Sequence, residues 1–77
     1  MRLDQLPLRQ PSQIAAIDWA GLGEKEARRI RELGFDDGVT IEALHRGAMN
    51  GPIACRVGRM TIALRRRVAA AVEVEPT

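Results

Sequence analysis

Apolar positions in this chain recur mostly at every second residue, and one stretch switches to helical spacing. Val39, Ile41 and Ala43 alternate with Thr40, Glu42 and Leu44, the pattern of a half-buried strand. Ile53, Cys55 and Val57 alternate with Ala54 and Arg56, which predicts a return strand after the loop GAMNGP at 47–52. Met60, Ile62 and Leu64 alternate with Thr61 and Ala63, giving a further strand across the tight Gly58-Arg59 connection, with the larger side chains assigned to the interior. Val72 and Val74 flank Glu73 in a closing strand that Pro76 ends, and Arg65-Arg66-Arg67 reads as a short turn before it. Residues 13–19 (QIAAIDW) predict a first strand.

Residues 24–34 break the alternation. Gly23 serves as N-cap, and Glu24 and Glu26 occupy the first turn, where the helix dipole favours anions. Arg28, Arg29 and Arg31 follow, and Glu24 stands four residues before Arg28, an ion pair worth about 0.3 kcal/mol. Ala27, Ile30 and Leu33 share one face, a stripe suited to lying on a sheet. Gly34 supplies a left-handed C-terminal residue, Phe35 packs back on the last turn, and Asp36-Asp37-Gly38 is turn chemistry. Pro7 and Pro11 limit residues 3–8 to one helical turn or a loop. The expected fold is mainly β: a small five-stranded antiparallel barrel with one inserted short helix at about 24–34, its closure removing exposed strand edges. Residues 1–12 form an N-terminal arm and 75–77 a tail of the one domain, 1–77.

Length agrees with a single domain, since 77 residues leave a marginal core that buries about 60% of the unfolded surface. Cys55 is the one cysteine, so no intrachain disulfide forms, and the pattern fits a reducing compartment. The start of the chain lacks the apolar run of a secretory signal, and the longest uncharged run, 47–55, falls far short of the ~20 residues of a membrane span. The expectation is a soluble, cytoplasmic protein. The net charge is +2, and Lys25 is the one lysine among 12 basic residues. Only Trp19 and Phe35 are aromatic, against the stacking platform of a single-strand binder.

Two segments and their spacing resemble a known family. ARRIRELGFDDGVTIEAL is similar to the central RRL-x-ELG-x-x-x-G-x-x-V/I-x-V segment of the FeoA family, and GRMTIALRRRVAAAVEV to its closing G-x-x-I-A-L-x-x-x-x-A-x-x-I-x-V segment. Leu3 and Leu6 match its opening L-x-x-L. The chain departs from the pattern at Asp37, where many members have proline, and at Phe35, where leucine or methionine is commoner. The resemblance implies an SH3-like barrel with one helix, a fold also found as the C-terminal domain of DtxR-type iron-dependent repressors. It implies a non-enzymatic accessory protein of bacterial ferrous-iron uptake whose partner is FeoB, a membrane transporter with a cytoplasmic GTPase domain, so that any membrane contact runs through the partner. It also carries a loose association with transition metals, without ligands.

Candidate chemistry is sparse. Gly21-Leu22-Gly23 lacks the third glycine of a dinucleotide fingerprint, because position 26 is Glu26, and no phosphate-binding GxxxxGK[ST] loop is present. If the 47–52 loop is symmetric, His45 and Cys55 face each other across two strands as a two-ligand metal site or a Cys–His pair, with Asp36, Asp37 and Met60 the only further donors; otherwise Cys55 is a small core residue. Ser12 lies in a proline-flanked loop with no base near it in sequence, and Trp19 is either core or an exposed anchor. Arg28, Arg29, Arg31, Arg59 and Arg65–Arg67 form either a solvated surface or one basic face for an acidic partner or anionic lipid. The candidate contact region comprises Arg28, Arg31, the turn Asp36, Asp37 and Gly38, then Arg59, Thr61 and Ala63. No cofactor and no nucleic acid are expected, and the chain is a monomer or weak homo-oligomer. Two alternatives remain: a small basic nucleic-acid-binding barrel, and a transition-metal-responsive domain.

Overall fold

The computed structural model describes residues 1–77. Its strands are β1 (Ser12–Ile17), β2 (Thr40–Arg46), β3 (Ile53–Val57), β4 (Met60–Leu64) and β5 (Val72–Pro76). They form one antiparallel sheet in the order β4-β3-β2-β1-β5. Helix α1 (Glu24–Glu32) connects β1 to β2, and a four-residue helix, α2 (Arg66–Ala69), connects β4 to β5. Two 3-10 turns, Leu3–Gln5 and Trp19–Gly21, precede β1 and α1. No helix is long and apolar enough to cross a membrane.

Two bulges curl the sheet. The β1–β5 register shifts between Ile14 and Ala16, and the β2–β3 register shifts between Ala43 and His45. An extra residue on one strand bends it and raises the local twist, which is how five short strands wrap one core. Ile14, Ile41, Ile53, Cys55, Val72 and Val74 fill that core, closed by Ile30 of α1, Val68 and Ala69 of α2, and Leu3 and Leu6. The segment read as an N-terminal arm thus contributes two fully buried leucines.

The structure corrects several expectations. Ser12 is not in a loop; it begins β1, is fully buried, and its hydroxyl donates to the Gln10 carbonyl at 3.1 Å. Trp19 leaves the first strand for a 3-10 turn, which the Asp18 carboxylate caps by accepting from the Gly21 amide at 3.2 Å. The Arg65–Arg67 turn is part of α2, because the good helix formers after Leu64 bury Val68 and Ala69 together. Pro76 does end β5, as its last residue, paired with Ser12 where proline is tolerated.

The barrel is not closed by hydrogen bonds, because β4 and β5 do not pair. The edge of β5 is covered by the chain's own start: the Val74 amide donates to the Met1 carbonyl at 2.7 Å, Arg2 bridges to Glu73, and the terminal ammonium pairs with the Glu73 carboxylate. The edge of β4 has no such cover. Met60, assigned to the interior by alternation, is 39% exposed, and Ile62 is only partly buried. The helices cover the Leu64 end of this strand and leave its Met60 end in solvent.

Candidate functional site

Helix α1 is fixed at both ends by local chemistry. Glu26 reaches back to accept from the Gly23 amide at 3.2 Å, the glutamate half of a capping box. Its other oxygen accepts from Arg67, tying α1 to α2. The Gly23 hydrogen bond first, and Arg67 after it, hold the Glu26 carboxyl below its ordinary pKa. The expected Glu24–Arg28 pair does not form; the acid that finds a partner is Glu26, across the fold. At the far end the Phe35 amide donates to Ile30 and the Gly34 amide to Arg31, both at 3.0 Å, a Schellman motif in which Gly34 takes φ +93°. Asp36 then accepts from the Asp37 amide at 2.8 Å, and Gly38, at φ +84°, donates to Ile14 at 2.7 Å, docking the turn on β1.

Two surface hollows flank this helix. A groove of about 310 Å³ runs between α1, the end of β4 and α2. Ile30, Ala63, Leu64 and Val68 give it an apolar lining, and Lys25, Arg29 and Arg65 a basic one; Glu26, the one acid there, is held by Arg67. The second hollow lies at the other end of α1, where the Arg31 guanidinium stacks 4.4 Å from the Trp19 ring centroid beside Phe35 and Asp36. Trp19 is thus a half-buried platform, neither full core nor free anchor.

The candidate contact residues are divided between these places. Ala63 lines the groove, and Thr61 lies exposed on the same strand. Arg31 and Asp36 line the second hollow. Arg28, Asp37, Gly38 and Arg59 are exposed and line neither. Nor do the arginines make one basic face: Arg67 pairs with Glu26, Arg66 leans toward the Gly51 carbonyl at 3.4 Å, and Arg46 binds the carbonyls of Asp4 and Leu6. Arg29 and Arg65 were named for the basic face but not for the contact region, and Lys25 was missed; the signal available for it was its i,i+4 spacing to Arg29.

His45 and Cys55 do not face each other. The bulge in β2 places His45 opposite Ala54 and Ala43 opposite Cys55, leaving His45 exposed and Cys55 fully buried. Burial pushes the Cys55 thiol up to about 11, so neither the thiolate ligand nor the thiolate nucleophile is available near neutral pH. No three His, Cys, Asp or Glu side chains gather in one place.

The strand order and the helix between first and second strands define a small SH3-like barrel. The FeoA domain family matches residues 1–76, and the chain belongs to that family. The crystal structure of Stenotrophomonas maltophilia FeoA complexed with zinc, described as a prokaryotic SH3 domain protein and a candidate ferrous iron transport activating factor, is 32% identical with a TM-score of 0.82, over 97% of this chain and 89% of that one. The solution structure of iron(II) transport protein A from Clostridium thermocellum is 29% identical with a TM-score of 0.86; the match covers 99% of this chain but only 45% of that longer one. A manganese-dependent transcriptional repressor contains the same fold, at 19% identity and a TM-score of 0.87 over 100% of this chain and 41% of the repressor. No curated protein matches the sequence.

Proposed function

We propose that this chain is a non-enzymatic accessory factor of bacterial ferrous-iron uptake that docks on the cytoplasmic part of a FeoB transporter and tunes its assembly or turnover. The observation that carries this reading is the family match over residues 1–76. The chemistry of the surface agrees with it: the lone thiol is buried and protonated, and what the molecule presents is an apolar groove with basic walls. A module of this kind needs no chemistry of its own, because binding one state of a partner more tightly shifts that partner's population. Within the candidate region the α1–β4 side is favoured as the contact, since there a groove floored by apolar side chains meets basic charge, with Thr61 and Ala63 exposed on the strand. The test is capture of the purified FeoB cytoplasmic region by the immobilised chain. Saturable binding at low micromolar concentration is expected; no binding at concentrations on the order of tens of micromolar contradicts docking.

A further inference from the structure

The two ends of the sheet are treated unequally. The β5 edge is covered by residues 1 and 2, but β4 pairs only with β3. Proteins blunt exposed edges with charges, prolines or bulges, because bare edges invite another strand. β4 (MTIAL) has none of these: it has no charge, no proline and an unbroken register against β3 from Val57–Met60 to Ile53–Leu64. The two-residue loop makes Val57 and Met60 a hydrogen-bonded pair. Alternation along the ladder then directs the N–H and C=O of Thr61 and Ala63 outward. Both residues are exposed, no backbone hydrogen bond outside the sheet engages these groups, and Ala63 lines the groove bordered by Lys25, Arg29 and Arg65.

We infer that β4 is a docking edge at which an acidic, extended segment of a protein partner adds as a further antiparallel strand, its main chain on Thr61 and Ala63 and its carboxylates on Lys25, Arg29 and Arg65. Strand addition of this type draws affinity from main-chain hydrogen bonds and specificity from neighbouring side chains. In the self-pairing register centred on Ile62, charge favours an acidic partner over a second copy of this chain. Antiparallel pairing of two β4 strands about Ile62 sets Arg59 of one copy against Arg65 of the other, and like charges directly opposite destabilise a sheet. The inference rests on the docking reading for its biological setting, but the edge can be tested without the transporter.

The probe is a short peptide alternating valine and glutamate, titrated into isotope-labelled protein and followed by NMR, with a valine–lysine peptide as control. The expected result is slowed exchange of the Thr61 and Ala63 amides with the acidic peptide only. Ala63→Pro removes one outward N–H without touching the β3 ladder, and is expected to weaken binding about tenfold, as losing that bond and obstructing the strand should. Should that variant fail to fold, the double variant Arg29→Glu with Arg65→Glu serves, with a similar expected loss. Equal binding of both peptides, protection confined to other amides, undiminished binding by the variants, or protection that instead grows with protein concentration alone overturns the inference. Capture of the FeoB cytoplasmic region that Ala63→Pro leaves intact would overturn the edge and spare docking; failed capture with the peptide result intact would spare the edge and overturn docking.

Discussion

Cys55 shows what single residues do in this fold. Its place in the Ile53-Cys55-Val57 alternation was enough to read it as a core residue, and it is one, at 0% exposure. Its relation to His45 was not legible, because a bulge is set by the curvature of the whole sheet and not by the residues beside it. Burial raises the thiol pKa from 9.0 to about 11, which makes ionisation harder in the folded chain than in the unfolded one. The resulting stabilisation is complete below pH 9.0 and is lost as pH rises through about 11, a change of roughly 2–3 kcal/mol at most. Denaturant titrations between neutral pH and pH 11 should therefore show a steeper loss for the native chain than for Cys55→Ala, which loses a constant increment from its smaller side chain. Parallel profiles would remove the account of the thiol.

Among elements, α1 was the most legible. Gly34, the acidic first turn and the Asp36-Asp37-Gly38 turn are local signals, and each does what local chemistry dictates. Long-range pairings were not readable. Glu26 meets Arg67 because α2 folds against α1, and α2 itself was hidden in an arginine run that reads equally well as a turn. Ser12 was likewise misplaced, because its burial depends on pairing with Ile41 and Pro76 far along the chain. Glu26 carries a testable consequence for how the two helices hold together. Its folded-state pKa lies below the ordinary carboxylate value, so it contributes stability above that range and loses it as pH falls through the folded value. Glu26→Gln keeps an acceptor for the Gly23 amide but removes the charge that Arg67 meets. Its melting temperature should fall below that of the native chain near neutral pH, and the gap should close under acid conditions. A gap that persists unchanged in acid would mean that the carboxylate charge is irrelevant to the α1–α2 tie.

For the whole molecule, the alternating pattern gave the five strands and their approximate limits because each strand buries one face on the core. It could not show that the sheet stays open between β4 and β5, since neighbours in a sheet are set by closure of the entire chain. The same blindness explains the half-legible surface. Thr61 and Ala63 were found from strand alternation, whereas Lys25 and Arg29 become neighbours of that strand only when α1 folds beside it. An open apolar edge bordered by unpaired basic side chains is a cost for a free protein and an asset for one that works bound. The measurement that bears most directly on this view is an NMR titration of the labelled chain with the purified FeoB cytoplasmic region. The account predicts saturable resonance changes concentrated on α1 and β4, with Thr61 and Ala63 amides protected in the complex. Unchanged spectra at a severalfold excess of the FeoB region would contradict it.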